Sequence, residues 1–401
     1  MTILAANPKR IRPGNMASRI PRAPIILSTE QARNLWIAAQ RLNEDAPFGS
    51  GPEAVHRAVA HLGYVQIDTI SIIERCHHHI LFNRIPAYRR ADLHAAQSDQ
   101  KTLFEYWTHA LAYLPVEAFP YYARNMRAHR KDPQGWGGQS NAYYLRKVMK
   151  RIADEGPLSS ADFQNDRLVE KAHLWASRKP SKRALQSGFY SGRLAIARRK
   201  GINRYYDLTE RHFGWDKLPK PATTPQKRDY ELNRALTAQG FVSLDSICHL
   251  TPAKKPQIKE RIERRLKRKD LIECRLEGDE KTRLFVPPEL LDEIPAVDPD
   301  RTHILSPFDP LIIQRKRTNA VFGHDHIFEA YVPPDKRQWG YFTLPVLIGN
   351  RIAAGLDLKA DRGSNTLQIN SWHWFDEAHP QTDKPLIEAA LDRFSKFQFA
   401  D

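Results

Sequence analysis

The chain has 401 residues, with 62 lysines and arginines against 46 aspartates and glutamates, a formal net charge of +16. At roughly 150 residues per domain, that length predicts two to four domains. A hydrophobic share of 41% excludes bulk disorder, and no apolar run approaches the roughly 18 residues of a bilayer span, which excludes an integral membrane protein. The three cysteines, Cys76, Cys248 and Cys274, are scattered and odd in number. They offer no disulfide framework and no zinc ribbon, and they fit a reducing, intracellular setting. The positive surplus favours a polyanionic partner such as nucleic acid or an anionic membrane face.

In chain order, residues 1–24 carry Lys9, Arg10, Arg12, Arg19 and Arg22 among prolines and glycine, without the apolar stretch of a secretory signal. They read as a basic, disordered arm. Ser28 and Gln31 have capping-box spacing and open a helix carrying Leu35, Ala38, Ala39 and Leu42. A second helix spans 52–62 and stops at Gly63. Residues 64–68 read as extended, and Ser71 with Glu74 has the spacing of a further capping box opening a helix towards Phe82. Two later stretches repeat one plan of helix, turn, helix, helix and hairpin, the order of a winged helix-turn-helix. The first has a helix at 143–153 and a hairpin at 193–208. The second has helices at 230–239 and 258–269 and a hairpin at 272–286. From Ile304 strand signals dominate. Runs at 341–348, 351–360 and 365–374, separated by Gly349-Asn350 and 361–364, predict an antiparallel sheet or small barrel, and a last helix follows Asp383 and Pro385.

Three stretches carry candidate chemistry. On the helix at 258–269, Ile258, Ile262 and Leu266 form one apolar stripe, which leaves Lys259, Arg264, Arg265 and Arg268 for phosphates. The hairpin at 193–208 crowds Arg198, Arg199, Lys200 and Arg204 at its tip, a basic wing suited to a groove. In the extended segment, alternation puts Tyr64, Gln66 and Asp68 on one face and sends Val65 and Ile67 to the core. Gln66 and Asp68 then lie roughly 6–7 Å apart along the strand. An amide beside a carboxylate can hold a water and stabilise a developing cation. The same pattern also fits Asp68 and Thr69 as turn residues ahead of Ser71. Cys76-His77-His78-His79 does not make a metal site, because four successive helical side chains point in four directions. No Walker phosphate loop and no nucleophile elbow is present.

The segment Leu62-Gly63-Tyr64-Val65-Gln66-Ile67-Asp68-Thr69-Ile70 resembles the catalytic-motif segment of the YcaQ/AlkZ-like winged-helix DNA glycosylases. The resemblance extends to Phe104-Glu105-Tyr106-Trp107-Thr108-His109, Arg204-Tyr205-Tyr206-Asp207-Leu208, Leu305-Ser306-Pro307-Phe308-Asp309-Pro310 and 336–345. Gln66-Ile67-Asp68 matches the Gln-x-Asp, YcaQ-like branch. The resemblance implies an α+β fold of three tandem winged helix-turn-helix units and a C-terminal antiparallel β-barrel, with a C-shaped DNA-binding surface. The expected units are 25–140 with the catalytic motif, 141–222 with the basic wing, 223–298, and a barrel with its helix at 299–401.

It further implies a monofunctional, cofactor-free and metal-free glycosylase of DNA repair. Such an enzyme hydrolyses the N-glycosidic bond of N7-alkylated purines and unhooks interstrand crosslinks. A monomer on double-stranded DNA in the cytoplasm is expected. An N7-alkylated base is already cationic and leaves without a strong general acid. Asp68 is then expected to orient or deprotonate water and stabilise the sugar cation, and Gln66 to hold water or sugar-phosphate. A crosslinked base cannot swing into a deep pocket, so no enclosed base cavity is expected beside Asp68. The alternative is a non-enzymatic winged-helix regulator that uses the same basic surfaces to read sequence.

Overall fold

The computed structural model describes residues 24–133, 142–163, 168 and 177–400. The basic residues of the expected N-terminal arm lie outside the described residues. The described residues open with β1 (Ile25–Leu27) and α1 (Thr29–Ala39). Ser28 Oγ accepts from the Gln31 amide at 3.1 Å, and Gln31 Oε1 accepts from the Ser28 amide at 3.0 Å, so the expected box forms. Next come α2 (Gly51–Leu62), β2 (Val65–Gln66), α3 (Cys76–Phe82), α4 (Arg90–His94), the hairpin β3 (Leu103–Trp107) and β4 (Leu111–Pro115), and α5 (Phe119–Lys131). Then follow α6 (Ala142–Glu155), β5 (Leu158–Ser159), α7 (Pro180–Tyr190), the hairpin β6 (Leu194–Lys200) and β7 (Asn203–Leu208), and α8 (Thr209–Phe213). The next stretch holds α9 (Thr224–Gln239), β8 (Val242–Ser243), α10 (Leu244–Ile247), α11 (Lys255–Arg268), the hairpin β9 (Ile272–Leu276) and β10 (Asp279–Val286), and α12 (Glu289–Asp292). The chain closes with β11 (Thr302–Ile304), α13 (Arg315–Phe322), β12 (Thr343–Ile348), β13 (Arg351–Asp361), β14 (Thr366–Trp374) and α14 (Pro380–Phe399).

One strand order recurs three times. A two-residue strand pairs antiparallel with the far arm of the following hairpin, giving β2-β4-β3, β5-β7-β6 and β8-β10-β9. Each short strand follows a helix, so the chain repeats one layout of helix, strand and hairpin. β1 departs from that layout by pairing parallel with β9, Ile25 opposite Cys274. α1 follows it, and Leu27, Leu35 and Trp36 share a core with Phe241, Leu311 and Val321. The segment placed in the first unit by sequence is therefore built into the third sheet and the C-terminal region.

The C-terminal strands do not close into the expected barrel. They form an open four-stranded antiparallel sheet, β11-β12-β13-β14. Four strands are too few to curl around a filled interior, which takes about eight. The sheet instead buries β12 and β13 almost completely and packs α14 against β11, with Leu344, Val346, Leu356 and Phe394 in the largest core. Ser71 and Glu74 do not form a capping box either. α3 starts later, at Cys76, and the Glu74 carboxylate is occupied by the Arg75 amide at 2.8 Å and Arg90 Nε at 2.6 Å.

Arg84 and Asp309 join the N-terminal and C-terminal parts with side chains 0% exposed. Asp309 accepts from both terminal nitrogens, at 2.8 and 3.0 Å. The other Arg84 donors reach the Ile80 carbonyl and the backbone and side-chain oxygens of Gln40. Removing one partner of such a pair leaves a buried charge uncompensated. Asp309→Ala is expected to cost about 3–5 kcal/mol in urea unfolding, and Arg84→Met combined with Asp309→Leu to recover most of it.

Burial holds a set of imidazoles neutral. His78, His79, His109, His212, His303 and His324 are lowered from 6.5 to about 4. In that window the unfolded chain binds more protons than the folded one, so their contribution is complete above 6.5 and lost as pH falls towards 4. A thermal midpoint measured at constant ionic strength is expected to be flat from about pH 8 to 7 and to fall progressively below about 6.5.

Candidate active site

α2 ends at Gly63, whose φ of 76° is the left-handed turn that aims the chain into β2. β2 aligns Val65 with Tyr113 and Gln66 with Ala112, and the Ile67 amide continues the ladder by donating to the Leu111 carbonyl at 2.8 Å. Val65 and Ile67 enter the core as alternation requires, but Gln66 is only 5% exposed. The β3–β4 turn covers it: His109 Nε2 lies 3.0 Å from Gln66 Oε1. Asp68 leaves the strand and is partly exposed. Its Oδ1 accepts from the Ile70 amide at 2.8 Å, so the turn role is also present. Among the described residues no hydrogen bond engages Oδ2. The Cys76 thiol donates to the Gln66 carbonyl at 3.1 Å; burial, then the Asp68 carboxylate, pushes that thiol far up, so it stays protonated as a pin.

His109 belongs to the turn Trp107-Thr108-His109-Ala110, closed by the Thr108 amide on the Ala110 carbonyl at 2.8 Å. Burial, with His249 and Arg234 adding to it, lowers its ring to about 4. The neutral imidazole donates Nε2–H to Gln66 Oε1, which leaves the Gln66 amide N–H groups free to donate. Its edge meets Tyr64 at 5.1 Å. Trp107 is 48% exposed at the same tip. Sequence reasoning assigned no role to Trp107 or His109, although both stand in a motif that carried the resemblance.

The basic wing sits beside this turn, and Arg199 explains how. Arg199 makes a forked ion pair with Glu105 on β3, both contacts 2.6 Å. Burial would raise the Glu105 carboxyl, but Arg199 outweighs it and holds it low. Arg199 therefore fastens the wing to the hairpin that carries His109, with its charge paired to Glu105. Arg198 and Lys200 are exposed, Arg204 is partly exposed, and Arg198 lies over the Tyr205 ring at 4.3 Å. Between them Ile202 is 63% exposed at the tip. On α11, Ile258 and Ile262 are buried and Lys259, Arg264 and Arg268 are exposed. Arg264 pairs with Glu260 and Arg268 with Asp270 at the surface, while Arg265 reaches Asn233. Solvent and salt weaken such exposed pairs, so these cations can exchange onto phosphates.

The histidine run is structural in its contacts. His77 packs on Tyr113, His78 bonds the Tyr88 hydroxyl and His79 bonds the Ile304 carbonyl. Among the described residues no group of three or more His, Cys, Asp or Glu side chains is placed to hold a metal, and no helix is long and apolar enough to cross a membrane. A narrow cleft of about 110 Å³ reaches Tyr64, Trp107 and His109, and neither Gln66 nor Asp68 lines it.

A family model described as DNA glycosylase AlkZ-like matches residues 59–397. Among solved structures, the fold is similar to Streptomyces sahachiroi DNA glycosylase AlkZ, with a TM-score of 0.57 and 16% identity over 93% of this chain and 98% of that one. The chain belongs to the AlkZ-like DNA glycosylase family and is a DNA glycosylase, a hydrolase of DNA repair, not a non-enzymatic regulator.

Proposed function

We propose that this enzyme removes N7-alkylated purines from double-stranded DNA and unhooks interstrand crosslinks. The observation that carries the reading is a partly exposed Asp68, whose Oδ2 makes no hydrogen bond among the described residues, two residues after a Gln66 amide oriented by a neutral His109. A cationic N7-alkylated base departs without a strong acid, so one carboxylate suffices where ordinary glycoside hydrolysis uses two. Asp68 orients the water, takes its proton and stabilises the oxocarbenium-like sugar. Gln66 donates its amide N–H to that water or to the flanking sugar-phosphate.

In this reading the three repeats of strand order are winged-helix units at 25–140, 141–222 and 223–298, the first lending β1 and α1 to the third, and they form a concave surface around the duplex and act as a monomer. Arg198, Lys200 and Arg204 line the wing, with Ile202 as its apolar tip. Lys259, Arg264, Arg265 and Arg268 contact phosphate from α11. The absence of Gln66 and Asp68 from the nearby cleft suits a base tethered to the opposite strand, which the enzyme attacks without burying it.

The test is base release from duplexes carrying N7-methylguanine or a nitrogen-mustard crosslink. Abasic sites formed by the unaltered chain, with loss of about 10²-fold or more in rate and unchanged DNA affinity for Asp68→Asn, are expected. Equal loss of binding and cleavage would refute the role of Asp68. His109→Ala is expected to slow release roughly 3–10-fold and His109→Gln, which keeps a donor, to slow it less. Because the His109 ring stays neutral down to about 4, its removal is expected to leave the shape of the rate profile unchanged around 6.5.

A further inference from the structure

The cleft beside the motif holds two cations that no carboxylate claims. The Arg234 stem, from α9, crosses Gly63 so closely that a Cβ there would fall 2.1 Å from its Cγ. Its guanidinium lies over the Tyr64 ring at 5.4 Å and reaches the Tyr122 hydroxyl at 3.4 Å. Among the described residues it makes no ion pair, unlike the buried Arg84 and the largely buried Arg199. Lys227 enters the same cleft against the Tyr122 ring, 5.7 Å away, and donates to Asn125 Oδ1 at 3.1 Å, again without a carboxylate. Burial pulls its ammonium down to about 8, against Glu231 and with Lys254, Arg228 and Arg234. Glu231, the acidic side chain among the described lining residues, is occupied by Arg228 at 2.7 Å and Lys254 at 2.9 Å.

Partly enclosed cations without a counter-charge are costly unless an anion arrives. A guanidinium fork beside an ammonium suits the non-bridging oxygens of a phosphodiester. We propose that this cleft binds one backbone phosphate of the DNA substrate next to the nucleotide that loses its base, with Arg234 and Lys227 as its cationic donors. Contacts lead from it to the motif: Arg234 stacks on Tyr64, Tyr64 meets His109, and His109 holds Gln66. Gly63 is required twice, for its positive φ and for the passage of Arg234. The inference rests on the glycosylase reading of Gln66 and Asp68 only for the identity of the nucleotide that lies there.

The test is equilibrium binding of Asp68→Asn chains to duplexes in which each linkage around the lesion is replaced singly by neutral methylphosphonate. One linkage is expected to weaken binding roughly tenfold with Arg234 and Lys227 intact. It is expected to cost nothing further in Arg234→Met or in Lys227→Gln, and Arg234→Lys is expected to regain part of the sensitivity. The slope of log affinity against log salt should fall by about 1 in either charge-removing variant. Arg234→Met keeps the stem over Gly63, and Lys227→Gln provides an independent reading if it folds poorly. Penalties at every linkage as large in both variants as with the cations intact would overturn the proposal. Tight, saturable binding of inorganic phosphate to the cleft, with no linkage effect, would also overturn it in favour of a free-phosphate ligand. Base release by the unaltered chain is assayed in parallel: no release with linkage coupling intact would sink the catalytic reading and leave the phosphate site standing.

Discussion

The buried pair of Arg84 and Asp309 is the constraint around which the remaining parts are arranged. Arg84 gathers the end of α1 through Gln40, its own helical turn through Ile80, and the C-terminal region through Asp309. Two charges taken out of water at this depth are tolerated because the guanidinium donors all find oxygens, and because Asp309 also accepts the Leu311 amide. The seam continues in the same direction, with His79 bonded to the Ile304 carbonyl and His303 to the Leu42 carbonyl. α3, which follows the Gln66–Asp68 segment, is thereby tied to a sheet that lies more than 200 residues away in the chain.

That tie gives the C-terminal sheet a purpose other than enclosing a cavity. The Ala360 amide donates to the Ile72 carbonyl at 2.9 Å, and Arg362 reaches the Ser71 and Ile73 carbonyls at 3.0 and 2.9 Å. These bonds hold the loop that leaves Asp68. A turn residue fixed only by its own Asx bond would move with the loop; here the loop is pinned on its far side by the end of β13. The open sheet buttresses the carboxylate. On the other flank, the pair of Glu105 and Arg199 fastens the wing to the hairpin that orients Gln66. One wing cation is spent on this pair, and the wing and the motif are held in one register.

The elements legible in the sequence are those whose signals are local. Ser28 and Gln31, Gly63, the hairpin turns and the apolar stripe of α11 all sit within a few residues of what they specify, and the structure contains them. Distant partners were not legible. Nothing in Ile25–Leu27 says that it will pair with Ile272–Leu276. Glu74 has the spacing of a cap, yet Arg90 takes it. Arg199 looked like three neighbouring wing cations until Glu105, 94 residues away, engaged it. Strand period put Gln66 on an open face, yet the turn from β3 to β4 lays His109 against it. The barrel failed for the same reason: closure depends on pairing between first and last strands, which no local pattern encodes.

Charge placement around the motif follows from the chemistry proposed for it. An oxocarbenium-like sugar is stabilised by a carboxylate and opposed by any nearby fixed cation. An imidazolium on Gln66 would be such a cation. Burial prevents it by holding His109 neutral, so the ring supplies a donor and no net charge. The side chains that must be positive are displaced by one layer: Arg234 and Lys227 lie behind Tyr64 and Tyr122, and Arg198 and Lys200 at the wing tip. Tyr64 lies between Arg234 and His109, yet the Arg234 charge still lowers that ring, so a phosphate held by Arg234 and Lys227 offsets a positive potential that the motif otherwise feels. DNA affinity and catalysis make opposite electrostatic demands, and in the proposed reading the bound phosphate reconciles them by neutralising the cations nearest the motif.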